Sequence, residues 1–277
     1  MKSISYILIL VFMLSNLSFG DELRKRAHLH KERSLLAEDV ETEISFGKEL
    51  AVKIVGKYKL IKDEEKTKYI NLLGRYIAKH GPRQELKYHF GILDTETVNA
   101  FSTPGGYVFI TKGCLELVED ESELAGILAH EIAHITQMHI MKNINLRAKE
   151  KGKMGSLATI IKGPMGTVED ITLTLLDEAY KILFEKGYQL EQEYEADRVG
   201  TQLIYLSGYD PEGLKRFLKR VLEKGYGEQL EKTHPNISER INVLDEFLEK
   251  DNLKNLNLKR NRYRFERYIK KSLTKKE

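Results

Sequence analysis

The sequence predicts an α+β fold that is mostly helical, with a small β-sheet beside a helix that carries two histidines. Three observations predict it. Apolar residues recur at helical spacing over much of the chain, two short stretches have the pattern of strands, and His130 and His134 lie four residues apart in a strongly apolar segment. With 277 residues and 41% hydrophobic content, the chain can bury a full core as one domain, or as one domain with an appendage.

The first twenty residues are typical of a secretory signal. Lys2 precedes an unbroken apolar run over residues 6–14, and small residues lead to Gly20, after which cleavage is expected. The run is short for a transmembrane helix, although an uncleaved N-terminal anchor stays an alternative. We therefore expect residues 1–20 to be a signal peptide and the mature chain to work outside the cytoplasm.

The rest of the chain is predicted to comprise a domain at residues 21–253 and a basic tail at residues 254–277. The tail carries ten Lys or Arg against two Glu. We expect a solvated helix end, with contact to anionic lipid or an acidic partner as the alternative. The whole chain has a net charge of only +3, which gives no indication of a nucleic-acid partner. The single cysteine, Cys114, is expected to be a small buried residue.

The first elements of the domain are two amphipathic helices and a strand. Apolar positions over residues 35–80 suit two helices with a break near residues 58–63, and Gly81-Pro82 ends the second. Tyr88, Phe90 and Ile92 then alternate with polar or small residues, as in a half-buried strand.

A second strand is predicted at Tyr107–Thr111, after the turn Pro104-Gly-Gly. It comes shortly before the histidine helix, so it could run along a cleft there. An extended peptide could then pair with its free edge, at Tyr107, Val108 and Phe109. An ordinary core strand is the alternative, and the sequence alone does not choose between them.

The next helix carries the sequence His130-Glu131-Ile-Ala-His134, and Asp120 with Glu123 predicts a capping box at its start. Two imidazoles one turn apart project from one face and can hold two corners of a tetrahedral zinc ion. Glu131 could take a proton from zinc-bound water, whose pKa zinc lowers to about 7. A pair of surface histidines is the alternative, but the apolar neighbours favour a buried site. Catalytic zinc needs a third protein ligand.

Residues 141–190 separate this helix from a second candidate segment. They contain paired glycines at 152–166, which indicate a mobile loop, and an apolar stretch, Ile171–Phe184. A packed helix, a lid and a membrane-touching element are the alternatives for that stretch. Beyond them, Glu193 and Asp197 share a helix face, which suits a carboxylate ligand and a partner for a ligand histidine. A solvated acidic face would be the other explanation.

A further capped helix start is predicted from Asn236 and Glu239, with His234 and Arg240 around it. Four blocks now stand in order: Asn99-Ala-Phe with Pro104-Gly-Gly, the histidine motif, Glu193 with Asp197, and His234-Pro with Arg240. Together they resemble the M48 family of zinc metallopeptidases, the Ste24, HtpX and Oma1-like group. The resemblance extends over roughly residues 44–248 and is closest to soluble periplasmic, BepA-like members, without their helical-repeat domain.

The resemblance implies a gluzincin-type metallopeptidase domain with one Zn²⁺ per chain. It implies that His130, His134 and Glu193 bind zinc, that Glu131 is the general base, and that Asp197 supports a ligand histidine. It also brings His234 and Arg240 near the metal, as oxyanion or auxiliary groups, with the open coordination position as an alternative for His234.

The function that this implies is a zinc-dependent endopeptidase that acts on envelope or periplasmic proteins, in protein quality control. Its partners would be protein or peptide substrates, with peripheral membrane contact as an option; the oligomeric state is open. The alternative function is a chaperone-like binder of misfolded envelope proteins with gated or minimal proteolysis. A metzincin site is excluded because Gln137 and Ile140 stand where that pattern needs glycine and histidine. On an ideal helix His139 would lie about 180° from His130 and face away from it.

Overall fold

A computed structural model describes residues 37–150 and 168–271, with side chains left out of the description at 37–38, 145–150 and 168–172. The expected signal peptide and the paired glycines at 152–166 lie outside the described residues. In the part of the chain that is described, no helix combines the length and the apolar character needed to cross a membrane.

Two helices precede the sheet, as predicted. Helix α1 spans Ala37–Lys57 and α2 spans Glu64–Ala78. Asp63 caps α2, because its side chain accepts a hydrogen bond from the Lys66 amide at 3.0 Å.

The sheet has three strands, β1 (His89–Leu93), β2 (Ala100–Thr103) and β3 (Tyr107–Thr111), in the order β1-β3-β2. Strand β1 runs parallel to β3, and β2 runs antiparallel to it. Strand β3 is therefore the middle strand, and both of its edges are already paired. The prediction that a peptide pairs with a free edge at Tyr107, Val108 and Phe109 is wrong, and the core-strand alternative is confirmed.

The outer edge of β1 is also covered. The Asn71 side chain accepts from the Phe90 amide at 3.1 Å and donates to the Phe90 carbonyl at 2.7 Å, while the Ile61 amide donates to the Ile92 carbonyl at 2.9 Å. The outer edge of β2 is occupied at Ala100, whose amide donates to the Asn99 side chain at 2.8 Å and whose carbonyl oxygen lies 3.4 Å from His234 Nε2. Because Thr111 and Asn99 exchange hydrogen bonds and antiparallel pairs alternate, Ala100 and Ser102 turn their backbone groups away from β3.

Two apolar clusters lie on opposite faces of this sheet. The larger one joins α2 and the later helices to the face that carries Val108 and Ile110. The smaller one packs α1 and two helices of the following segment against Phe101 and Phe109. Those helices are α5 (His139–Glu150) and α6 (Val168–Lys181), and a wider helical turn, Ile182–Lys186, extends α6. The apolar stretch at 171–184 is thus a packed helix over its described side chains.

A short helix, α3 (Lys112–Leu117), leads from the sheet to α4 (Glu121–Thr136), which carries the two histidines. Asp120 caps α4 through the Glu123 amide at 2.9 Å, as predicted. The reciprocal half of the capping box differs, because the Glu123 carboxylate accepts from the Glu119 amide and pairs with Arg220. Every residue of α4 is buried, which excludes the alternative of surface histidines.

The remaining helices are α7 (Leu190–Leu206), α8 (Gly213–Glu223), α9 (Gly227–Glu231), α10 (Ile237–Lys250) and α11 (Arg262–Phe265), with a wider turn at Glu266–Lys270. Asn236 caps α10 through the Glu239 amide at 3.3 Å, as predicted.

Over its described residues, 254–271, the basic tail is not the solvated helix end that its charge predicted. Phe265 and Ile269 lie one helical turn apart and so share one face of the tail. Both side chains are fully buried in the larger cluster. Arg264 pairs with the buried carboxylate of Glu121, the first residue of α4, and Tyr268 stacks on Tyr69 with ring centroids 5.1 Å apart.

Candidate metal centre

Helices α4 and α7 pack backbone to backbone at the centre of the molecule. Gly200 of α7 lies so close to α4 that a Cβ atom built there would stand 3.0 Å from the backbone nitrogen of His130. Residues one and two turns earlier on α7 are Asp197 and Glu193. Their side chains therefore reach the histidine face of α4.

Three of the predicted ligands converge at this crossing. The Nε2 atoms of His130 and His134 are 3.0 Å apart, and each lies 3.5 Å from an oxygen of the Glu193 carboxylate. Ligand atoms held about 2.0–2.2 Å from a tetrahedral zinc ion are roughly 3.3–3.6 Å from one another. The donor types and the two separations to Glu193 fit such an ion, whereas the two imidazole nitrogens are about 0.3 Å closer than the tetrahedral spacing. All three side chains are buried.

His234 joins this group from the loop before α10. Its Nδ1 atom is 3.2 Å from both Glu193 oxygens, and one ligand atom from each of the four residues lies within 4.8 Å of the others. Its Nε2 atom lies 3.4 Å from the Ala100 carbonyl oxygen and 3.8 Å from Glu131 Oε1. His234 thus touches the candidate ligand, the candidate base and the edge strand β2.

Glu131 is 1% exposed, and among the described residues its Oε2 atom has no hydrogen-bond partner. A buried carboxylate oxygen without a donor costs on the order of 1–3 kcal/mol. The arrangement is therefore that of a site which takes a further donor, such as a water, beside Glu131.

Asp197 lies behind His130, where the sequence placed it. Its Oδ1 atom is 2.9 Å from His130 Nδ1, the nitrogen that faces away from the other ligands. A carboxylate at this distance favours the neutral ring form with its proton on Nδ1, in which the Nε2 lone pair faces the centre.

Arg240 holds the two carboxylates of α7 together. Its Nε and Nη2 atoms donate to Asp197 at 2.8 and 2.7 Å, and Nη1 lies 2.8 Å from Glu193 Oε2. Every guanidinium nitrogen therefore faces a carboxylate. This arrangement favours the auxiliary role for Arg240 over the oxyanion role that was its alternative.

The charges of the centre follow from burial and from these partners. Burial favours the neutral form of Glu193, but Arg240 and His234 outweigh it and hold the pKa of this carboxyl well below its usual range. Burial, together with His130, lowers the pKa of His134. Burial acts on His130 in the same direction, but the hydrogen bonds with Asp197 and Glu193 outweigh it and raise its pKa to about 9. An ionised carboxylate beside imidazoles suits a divalent cation.

Two residues of the site were missed in the sequence. The ring of Tyr188 stacks on that of His134, with centroids 3.9 Å apart. His139, expected to face away, is fully buried with its Nδ1 atom 2.8 Å from His134 Nδ1. The expectation failed because α4 ends at Thr136 and Met138 has a φ of 57°, so the helical projection does not extend to His139. No sequence signal indicated either contact.

Two small cavities flank the four ligand candidates. One, of about 30 Å³, lies beside Glu131 and His234 and has a mainly apolar lining, made by Ala100, Cys114, Ile127, Leu214, Phe217, Leu218 and Leu230. The other, of about 10 Å³, lies beside His134 and Tyr188 and is lined by Ser102. Strand β2 therefore passes from one cavity to the other along the centre. The deep burial of Cys114 confirms its expected role as a small core residue.

Comparison with known proteins agrees with this geometry. The family model described as Peptidase family M48 matches residues 64–248. The β-barrel assembly-enhancing protease of Escherichia coli (strain K12) is 29% identical over 187 residues, which is 66% of this chain and 38% of that protein. The mitochondrial metalloendopeptidase OMA1 of Schizosaccharomyces pombe is 29% identical over 187 residues, 66% of this chain and 53% of its own length.

The chain thus spans between about a third and about a half of the length of the curated relatives that it matches. The matched residues include the sheet, both helices of the candidate metal centre and the helix that carries Arg240. Because the match covers well over half of the chain, this protein belongs to peptidase family M48.

Proposed function

We propose that this chain is a zinc-dependent endopeptidase with one zinc ion per chain. The observation that carries the proposal is the convergence of His130, His134 and Glu193 beside the buried, unpartnered carboxylate oxygen of Glu131. Membership of family M48 supports the same reaction class, and so do the relatives described above, which are named as a protease and a metalloendopeptidase.

His130, His134 and Glu193 would hold the metal. A zinc ion held there would polarise the scissile carbonyl and lower the pKa of a bound water. Glu131 accepts a proton from the attacking water and delivers it to the leaving amine. Asp197 fixes the ring of His130, and Arg240 keeps both carboxylates of α7 ionised and in place. His234 either stabilises the oxyanion through Nε2 or occupies the open coordination position.

The substrate would pair with β2 instead of β3. The backbone groups of Ala100 and Ser102 face the centre, and an extended peptide that displaces the Asn99 and His234 contacts of Ala100 and pairs with this edge would run past the candidate ligands. The cavity beside Glu131 would then receive one substrate side chain. Its lining favours a small apolar one.

Substrate entry requires two segments to move, because Ala100 and Ser102 are no more than 4% exposed. The Tyr188 amide donates to the Thr233 carbonyl at 3.2 Å, and the Asn99 side chain donates to the Thr233 hydroxyl at 2.9 Å. These bonds hold the segments of Tyr188 and His234 over the centre.

The biological setting extends the proposal. The name of the Escherichia coli relative refers to β-barrel assembly, so the substrates would be envelope proteins under quality control. Residues 1–20 would export the chain to the periplasm. The chaperone-like alternative is not favoured, since it leaves Glu131 and the three metal ligands without a purpose.

Metal content and casein hydrolysis of the purified protein test the proposal. We expect about one zinc per chain, hydrolysis that a chelator abolishes, and recovery on addition of zinc. A protein that binds zinc without cleaving any protein substrate, or that cleaves casein at full rate after removal of the metal, would contradict it.

A further inference from the structure

We propose that His139 and Glu195 form a positioning relay for His134, in which His139 accepts the Nδ1 proton of His134 and Glu195 orients His139. The inference rests on the proposed function, because it concerns how His134 presents Nε2 to a metal ion. It adds two residues to the site, one on α5 and one on α7.

The contacts form a continuous chain. His139 Nδ1 lies 2.8 Å from His134 Nδ1, and His139 Nε2 lies 3.0 Å from Glu195 Oε2. His139 is fully buried at the first position of α5, where the left-handed residue Met138 turns the chain back beneath α4. The ring of His139 therefore has a defined partner at each nitrogen.

Only one placement of the ring protons satisfies the contacts of His139 with His134 and with Glu195 and also leaves the Nε2 lone pair of His134 free to bind a metal. His134 carries its proton on Nδ1 and donates to His139 Nδ1, and His139 carries its proton on Nε2 and donates to Glu195. The reverse placement would put a proton on His134 Nε2, directed at His130 Nε2 only 3.0 Å away. Glu195 thus selects the ring form of His139 that in turn selects the metal-binding form of His134.

The two histidine ligands are supported differently. His130 meets the carboxylate of Asp197 directly at 2.9 Å, whereas His134 meets a neutral ring that a carboxylate supports from behind. Tyr188 stacks on the other side of the His134 ring, so the ring is confined both in its plane and across it. Loss of such outer partners usually weakens metal binding 10–100-fold.

The geometry argues against His139 as a metal ligand itself. Its Nδ1 faces the outer nitrogen of His134, and its Nε2 is taken by Glu195. Among the described residues, the side chains whose ligand atoms converge are those of His130, His134, Glu193 and His234, and His139 does not belong to this group. A positioning role is what remains for a histidine buried here.

The test compares zinc affinity in three variants, measured by competition with a chromophoric chelator. His139→Leu removes the acceptor, and we expect zinc to bind about 10–100-fold more weakly. His139→Asn places an amide oxygen near the position of Nδ1, and we expect it to restore most of the affinity. Glu195→Gln should lower affinity less than His139→Leu. His89→Leu, at the exposed first residue of β1, is the matched control and should leave affinity unchanged.

A second readout separates positioning from folding. The absorption spectrum of the Co²⁺-substituted protein reports ligand geometry, and we expect it to change in His139→Leu and to return in His139→Asn. Thermal unfolding of the metal-free variants shows whether each one folds.

Unchanged zinc affinity and an unchanged Co²⁺ spectrum in a folded His139→Leu protein would overturn the relay and leave the proposed function intact. An asparagine variant that folds but binds zinc as weakly as the leucine variant would also overturn it. If the unsubstituted protein binds no zinc at all, the proposed function fails, and the relay with it.

Discussion

Gly200 of α7 touches the backbone of His130 on α4, so that a Cβ atom at position 200 would lie 3.0 Å from the His130 nitrogen. This contact sets the distance between the helix with the two imidazoles and the helix with the carboxylates. The third candidate ligand, Glu193, lies two turns earlier on the same helix. The geometry of the candidate metal centre therefore depends on a glycine that has no side chain to contribute.

We expect Gly200→Ala to weaken zinc binding and to destabilise the protein by about 1–3 kcal/mol, because the added methyl group must push the two helices apart. Chelator competition and denaturant unfolding measure the two effects. Gly56→Ala on α1 is the control, since nothing lies within 4 Å of a Cβ built there. It should be neutral or slightly stabilising. Equal zinc affinity in the Gly200 variant would show that the helix distance is not critical.

We expect Glu131→Gln to keep zinc and fold and to lose hydrolysis, because an amide occupies the same space but cannot accept the proton of the attacking water. Zinc content, circular dichroism and casein cleavage are the measurements. Glu185→Gln, at an exposed position outside the site, serves as the control. Substantial cleavage by a zinc-loaded Glu131→Gln protein would remove Glu131 from its proposed role.

Arg240→Met should destabilise the metal-free protein by about 3–5 kcal/mol, because Glu193 and Asp197 would then be buried without their shared cation. Arg240→Lys should lose less, since it keeps the charge but cannot bind both carboxylates with a planar fork. Denaturant unfolding with an added chelator measures both. Arg198→Met, exposed on α7, should behave as wild type. A loss below about 1 kcal/mol would contradict the structural role of this ion pair.

His234→Ala distinguishes the two roles that are open for His234. If the ring occupies the open coordination position, its removal should raise peptidase activity, and zinc should bind more weakly. If Nε2 stabilises the oxyanion, kcat should fall by about 10²–10³, with zinc affinity little changed. Steady-state kinetics and chelator competition are measured on the same preparation. Unaltered kinetics and affinity would eliminate both roles.

Acid should destabilise the protein partly through Glu121. Burial raises the pKa of this carboxyl, but hydrogen bonds from Arg264, Tyr209, Tyr69 and Asn261 outweigh it and lower the pKa from its ordinary value of 4.5. A lowered pKa stabilises the fold above that ordinary value, and the contribution is lost as the pH falls through the folded-state pKa.

Glu121→Gln should therefore lower the Tm at pH 7, and its difference from wild type should shrink as the pH falls below 4.5. Thermal unfolding from pH 7 to about pH 3 measures this, with the exposed Glu65→Gln on α2 as control. A difference that stays constant or grows on acidification would contradict the assignment.

The side chains that meet at the candidate metal centre could be predicted because local spacing determines where they point. A four-residue interval on a helix places His130 and His134 on one face, and the same interval places Glu193 and Asp197 together. Regular periodicity likewise identified the helices and the two strands that have alternating or β-branched residues.

The features that the sequence did not predict depend on reversals of chain direction and on contacts between residues far apart in sequence. His139 follows a helix end, so extrapolation of the helical period gave the wrong direction. The position of β3 depends on β1 pairing in parallel across an intervening strand, which no local pattern encodes. In the tail, the many lysines and arginines predicted a solvated segment, and the pattern gave no sign that Phe265 and Ile269 are buried.

The covered edge of β1 limits where another extended chain can add to the sheet. Because Asn71 and Ile61 occupy hydrogen-bonding groups of Phe90 and Ile92 on that edge, a second copy of the chain could extend the sheet there only by displacing them. Among the described residues, the remaining edge is that of β2, which passes beside His130 and Glu193 and where a foreign strand would have to displace the Asn99 and His234 contacts of Ala100. A polypeptide bound at that edge would already lie at the candidate metal centre.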